Sequence, residues 1–321
     1  MPQDMGGDMY FRTRFIEWIH PKIYIAAETE VWPNLFYALQ RKAIPIILVN
    51  GRISPRSFCG YGWVRPFFKK IFQGISWWCM QSPLDAQRAI GLGALPERVQ
   101  VVGNLKFDEA VELESMDPKS YSFWDHPCLW IAGSTHSGEE EILLDVYQEA
   151  SREIKDLRLV LAPRHVERTP EIIVQVESRG LRPWLLSQSD QPTFNARTVG
   201  IVDRIGHLRQ LYKLATLVFV GKSLKGKGGQ NILEPAAFGK PILVGPHMQN
   251  FESIMATFLK AGAIIQVRDA EELKQQLLGL LKDPDKRQRL GEAARCVVKE
   301  NQGALHKTMT AITHLLARSS S

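Results

Sequence analysis

The sequence predicts an α/β protein of two doubly wound, Rossmann-like domains, the first of them incomplete. Three observations carry that expectation. The chain has 321 residues, and a single hydrophobic core rarely grows beyond about 250–300 residues. Short runs that are apolar throughout alternate with segments of helical period, as parallel strands covered on both faces do. The stretch 109–127, EAVELESMDPKSYSFWDHP, is acidic, polar and weakly periodic, which suits an interdomain linker. The expected division is a partial domain over 1–108, the linker 109–127, a second domain over 128–298 and a C-terminal helix over 299–321.

Taken in order, the chain opens on MPQDMGGDMYFRTRF, which holds Asp4 and Asp8 and has no apolar centre, so it is not a signal peptide. Strands are predicted over 22–27, 44–50 and 99–103. A Rossmann-like unit should begin with a strand and should have more strands before the linker, hence the expectation that part of this domain is missing. The second domain shows runs at 129–133, 158–162, 199–203, 216–221, 241–245 and 263–267, with helical patterns over 139–154, 170–179, 207–214 and 250–260. The last sixty residues are helical by pattern.

Hydrophobic residues make up 45% and charged residues 23%, which is ordinary for a globular protein. The net charge of +6 is spread along the chain. That favours an anionic ligand or membrane surface, and the absence of a basic stripe or known motif argues against nucleic acid. The four cysteines at 59, 79, 128 and 296 form no CxxC pair, so reduced thiols are expected and a zinc site is not. No apolar run reaches the roughly 18 residues that span a bilayer, which points to a soluble or peripherally attached protein.

The stretch GKSLKGKGGQNILEPAAFGKPILVGPH, 221–247, follows one predicted strand and leads into a helix. Glycines let backbone approach a ligand closely, and the free N–H groups at a helix start attract anions. Asn231 is placed as an N-cap with Glu234 three residues on. Glu234 therefore either caps its helix or accepts hydrogen bonds from ribose hydroxyls while the loop amides hold a phosphate. Three more loops follow strands on the same presumed edge. AGSTHSGEEE offers the hydroxyls of Ser134 and Thr135; APRHVER offers Arg164 and His165; GPHMQNFES offers His247, Asn250 and Phe251. Ligands of open α/β sheets bind at such carboxyl ends. The consecutive acids Glu139, Glu140 and Glu141 are expected to favour a helix N-terminus. No metal-binding carboxylate pair follows a strand, so no metal and no cofactor are expected.

In the front half, AETEVWPNLFYALQRK places Glu28 and Glu30 between a strand and a helix, as helix-start acids or as a base or sugar ligand. NGRISPRSFCGYG supplies Asn50, Arg52, Ser54 and Arg56 after the next strand. GWVRPFFKKIFQGISWWCMQ mixes basic and aromatic residues. It reads either as a helix lying on an anionic membrane or as a helix packed on its sheet before a buried strand, and its opposite faces can serve both.

These strings, with GNLKFD at 103–108 and ENQGALHK at 300–307, resemble the 3-deoxy-D-manno-octulosonic acid (Kdo) transferases over residues 20–316. The resemblance implies a GT-B glycosyltransferase that moves Kdo from CMP-Kdo to the lipid A precursor, inverting and metal-independent. It acts peripherally at the cytoplasmic face of the bacterial inner membrane. By matching position, Arg164 falls in the family's nucleotide contact, and Gly229, Asn231 and Glu234 in its phosphate and ribose cradle. Ser134, Thr135 and His136 border the donor, while Glu30, Asn34 and Arg52 lie on the acceptor side. This chain departs at Gly221-Lys222-Ser223, where the family reads Gly-Gly-Ser, and at Gly228-Gly229-Gln230-Asn231, where it reads Gly-Gly-His-Asn. The Ser-x-Gly-Glu loop that carries the family's general base has no counterpart, which leaves Glu28 and Glu30 as candidate bases. A UDP-sugar transferase of the same fold and a nucleotide-binding fragment without transferase activity are the alternatives.

Overall fold

The computed structural model describes residues 16–28, 30–63, 65–110, 128–188, 195 and 197–319. The opening polar piece, 1–15, and positions 111–127 of the expected linker lie outside these. The chain forms two compact units, one made of residues 1–109 and 301–321, the other of residues 110–300.

In the first unit, β1 (Tyr24–Ala27), β2 (Ile46–Gly51), β3 (Trp77–Met80) and β4 (Val99–Val101) stand in chain order, all parallel. β2 is buried along its whole length, and its side chains alternate between two cores. Ile46 and Leu48 join Phe36, Leu39, Phe72 and Trp78 on one face. Ile47 and Val49 join Cys79, Ala311 and Leu315 on the other. This alternation is the period-two geometry of a strand. Ala311 and Leu315 belong to the helix Ala304–Ser319, so the end of the chain covers one face of a sheet formed near its start. Asp108 anchors that helix, accepting Gly303 N on Oδ1 and Leu305 N on Oδ2, each at 2.7 Å.

The helix Arg65–Gln73 buries Ile71 and Phe72 and leaves Lys69 and Lys70 exposed. Phe72 meets Trp78 edge to face, 5.3 Å between ring centres. Phe72 and Trp78 are internal packing, while Lys69, Lys70 and Gln73 are exposed. No described helix is long and apolar enough to cross a membrane.

The second unit carries seven parallel strands: β5 (Leu129–Thr135), β6 (Arg158–Pro163), β7 (Arg182–Leu185), β8 (Thr198–Ile201), β9 (Leu217–Val220), β10 (Ile242–Val244) and β11 (Ile265–Gln266). Their order across the sheet is β11-β10-β9-β5-β6-β8-β7. The chain winds outward from β5 through β6 to the β7 edge, then returns to the other side of β5 and winds through β9, β10 and β11. Its direction reverses between β5 and β9, where open α/β sheets bind their ligands. Strand β7 is not among the predicted runs. It holds Pro183, which lacks an N–H, and sits at the sheet edge where a missing donor is tolerated.

Candidate functional site at the reversal of the second sheet

The loops after β5 and β9 flank this reversal. Gly221 lies against the backbone of the β5 loop: a Cβ there would sit 2.5 Å from Ser134 O and 2.6 Å from Thr135 Cα. Gly245, after β10, lies equally close to the Ser223 carbonyl and Leu224. These glycines let three strand-end loops touch one another. Gly228 and Gly229 are buried and take φ of +115° and +73°, with the Asn250 carboxamide and Met248 packed against them. The glycine stretch was expected to bare its backbone to a ligand; at these positions its first task is internal packing and turning.

The loop amides also differ from expectation. Lys222 N, Ser223 N and Leu224 N donate to the fully buried carboxylate of Glu139 at 2.7, 2.9 and 2.9 Å, so these three are already occupied. Glu139 and Glu140 are therefore more than acids favouring a helix start. Glu140 is also fully buried and receives the Thr135 hydroxyl at 2.8 Å and two nitrogens of Arg168.

Two hydroxyls of these loops, that of Thr135, expected to face a ligand, and that of Ser223, turn inward. Thr135 is 0% exposed, and its hydroxyl donates to Glu140. The β5–β6 register shifts between Gly133 and Thr135, so simple strand alternation no longer sets the direction of Thr135. Ser223 is likewise 0% exposed; its hydroxyl donates to Val220 O and accepts Gly245 N. Both residues hold loops together.

The remaining polar groups surround open space. A cleft of about 400 Å³ is lined by Ser134, Pro163, Arg164, His165, Arg204 and Gly206, among others. Arg164 is exposed, and its backbone N donates to Thr135 O at 3.0 Å. The rings of His136 and His165 meet edge to face at 5.7 Å. Burial lowers the pKa of His136, although its hydrogen bond with the Ser134 carbonyl opposes the shift. Arg204 was missed in the sequence because it follows a strand end without a motif around it.

On the other side of the reversal, the helix Leu233–Ala237 has Ile232 at its N-cap and no capping side chain. Asn231 therefore lies one residue earlier than expected. Its Oδ1 accepts Leu233 N at 3.0 Å, and its amide donates to Glu234 at 3.3 Å. This is a local Asx turn, and Glu234 does not close a capping box. The Glu234 charge is felt by the buried Tyr212 hydroxyl, whose pKa is pushed up first by burial and then by that carboxylate. His247 is half-buried, its N donating to Ser223 O at 2.9 Å, while Asn250 is exposed.

In the first unit, Glu28 takes φ +55° just after β1 and lies 4.0 Å from Lys106. Glu30 accepts the Trp32 indole N–H at 3.0 Å. Glu28 and Arg52 line one narrow recess with Leu48 and Trp78. Asn34 is exposed on the helix Pro33–Arg41. Among the described residues, no group of three or more His, Cys, Asp or Glu is arranged to hold a metal.

Comparison with known proteins gives these positions a context. Residues 2–109 match the family model for 3-deoxy-D-manno-octulosonic-acid transferase (kdotransferase), and residues 194–297 match that for glycosyl transferases group 1. The chain is 33% identical to a 3-deoxy-D-manno-octulosonic acid transferase of Haemophilus influenzae, over 99% of this chain and 74% of that protein. It is 32% identical to that of Rickettsia felis, over 96% of this chain and 66% of the relative. Among solved structures, the C-terminal CMP-Kdo binding domain of WaaA from Acinetobacter baumannii matches with a TM-score of 0.51 and 29% identity, covering 60% of this chain and 97% of that domain. A putative UDP-N-acetylglucosamine 2-epimerase from Listeria monocytogenes matches with a TM-score of 0.60 over 97% of this chain and 78% of its own. At 15% identity, that likeness shows the fold alone.

Proposed function

The chain belongs to the 3-deoxy-D-manno-octulosonic-acid transferase family, and on that premise we propose that it transfers Kdo from CMP-Kdo to the lipid A precursor, holding the donor in the crevice of residues 110–300. The observation that carries this reading is the meeting of the β5, β6, β9 and β10 loops at the sheet's reversal. It is supported by 29% identity to a domain described as CMP-Kdo binding. Architecture of the GT-B type fits the two parallel-sheet units.

In this reading Arg164 presents its guanidinium to the nucleotide, where a planar fork suits a phosphate. Glu234, oriented by Asn231, accepts the ribose hydroxyls. His136, His165 and Ser134 border the donor, while Thr135 and Ser223 hold the loops in place. CMP leaves as the acceptor hydroxyl attacks from the opposite face, with inversion and without a cofactor. Fixed positive charge stabilises the negative charge on the departing phosphate. Glu28 and Glu30 are the candidate bases, with Arg52 and Asn34 on the acceptor side. Lys69 and Lys70, exposed on their helix, suit an anionic membrane surface at its cytoplasmic face.

Calorimetric binding of CMP and UDP to the native chain, R164A and E234Q tests this. CMP is expected to bind more tightly than UDP, and R164A to weaken it by at least tenfold, since a hydrogen bond to a charged group contributes about 1.5–3 kcal/mol. UDP preference, or unchanged CMP affinity in both variants, overturns the reading.

A further inference from the structure

Glu139 takes no part in the donor reading above, yet it has more backbone partners than an ordinary helix-start acid. Its Oε2 accepts His136 N at 3.0 Å and Lys222 N at 2.7 Å; its Oε1 accepts Ser223 N and Leu224 N, both at 2.9 Å. Residues 222–224 thus turn three successive amides toward one point. Concave sets of this kind bind anions. Here the anion is supplied by the chain itself, from a residue 0% exposed. The His136 bond ties the β5 loop to the same carboxylate. Glu139 therefore joins the two loops that flank the reversal between β5 and β9.

Occupied amides cannot also receive a nucleotide phosphate. Charge for it must come from side chains, and this loop carries Lys222. Lys222 is held at φ +56°, a left-handed conformation that is strained for a residue bearing a side chain. Its own N–H is the one held most closely by Glu139. The lysine's charge is felt at the His136 ring, where it is a lesser cause of the lowered pKa behind burial. Lys225 closes the same corner, its stem 3.1 Å from where a Cβ on Gly138 would stand.

The geometry points to Glu139 as a positioning residue: by filling the amide nest it fixes the backbone of Lys222 on the same carboxylate oxygen that holds His136 N, so that the lysine serves as the cation for the donor's phosphate. This rests on the donor reading of the same crevice. A purely structural acid would affect every ligand of the crevice alike, whereas Glu139 acts through a charge and affects the phosphate alone.

Calorimetry with CMP and with cytidine on the full chain separates the two. E139Q and K222M each are expected to weaken CMP at least tenfold and cytidine less than twofold. The double variant is expected to be no weaker than E139Q alone, and E139D to recover part of the loss. Equal losses for CMP and cytidine, or additive losses in the double variant, overturn the inference while the donor reading stands. A native chain that does not bind CMP overturns both.

Hydrogen exchange on the native chain and K222M decide the matter if E139Q does not fold. The amides of Lys222, Ser223 and Leu224 should exchange slowly before any nucleotide is added and gain no protection from CMP. Fast exchange that slows only on CMP addition would mean that the ligand fills the nest, and the inference falls.

Discussion

Arg168 grips the buried carboxylate of Glu140 with two nitrogens, Nη1 to Oε1 at 2.8 Å and Nη2 to Oε2 at 3.2 Å. The pair links the helix after β5 to the turn after β6, and the Thr135 hydroxyl completes it. A buried ion pair is weak evidence for net stability, but breaking one side strands a charge. R168A is expected to lower the unfolding free energy by about 3–5 kcal/mol, read from the urea midpoint. The double variant R168M/E140M, with no stranded charge, should recover most of that. A small loss in R168A would show that water reaches Glu140.

The glycines separate by position. G221A must push into Ser134 O and Thr135 Cα, which are backbone atoms, so a loss of about 1–3 kcal/mol is expected from overpacking. Gly279 lies exposed within the helix Ala270–Lys282 with nothing within 4 Å of an added Cβ. G279A should stabilise by about 0.5–1 kcal/mol. Thermal melts of both variants, read against the native chain, check the contrast.

Acid should weaken the fold through His136. Burial lowers its pKa from the ordinary 6.5, so on acidification the unfolded chain takes up this proton first. Stability contributed by the neutral ring is full above about pH 6.5 and is lost between there and the lower folded pKa. The fall in melting temperature from pH 7.5 to 5.5 is expected to be smaller in H136N than in the native chain. Equal falls would remove His136 from the pH response.

The thiols should react in a set order. Burial pushes the Cys79 thiol up to about 11, and it is 0% exposed. Cys59 and Cys296 are exposed, but Cys296 lies 3.2 Å from Glu300 Oε1, and that hydrogen bond raises its pKa. Iodoacetamide at pH 7.5 should label Cys59 first, then Cys296, and Cys79 only in denaturant. E300Q should speed labelling at Cys296. Mass spectrometry of timed digests reads all three.

Much of this architecture was legible in the one-dimensional pattern. β5, β6 and β9 are short, have unbroken apolar centres and are bounded by polar residues, so burial on both faces shows in their composition alone. Strand β7 was not legible: Arg182-Pro183-Trp184-Leu185 holds a proline, and only its place at the edge makes it a strand. The sheet order was hidden for a different reason. Nothing in residues 129–135 announces that 217–220 will lie beside them, so the crevice could be placed at an edge but not at the β5–β9 reversal. At the site, Arg164 and His165 stand at a strand end as expected, because loop residues after a strand have few ways to hide. Thr135 and Ser223 defeated the same logic: a local break in register turns the first hydroxyl inward, and bonds to Val220 O and from Gly245 N hold the second. Glu139 was least legible. Its partners lie 83 to 85 residues further along, and an acid at a helix start looks the same whether it serves the helix or a distant loop.

The terminal helix Ala304–Ser319 has a consequence for synthesis. The first sheet emerges from the ribosome early, but one of its faces is covered by Ala311 and Leu315, which are made after the whole of residues 110–300. Until then Ile47, Val49 and Cys79 have no cover from that helix. The later-made unit contains its own strands and helices in one continuous span, so it can finish first, reversing the usual order in which N-terminal domains lead. The earlier-made unit meanwhile waits as a nascent chain with an apolar face open to chaperones.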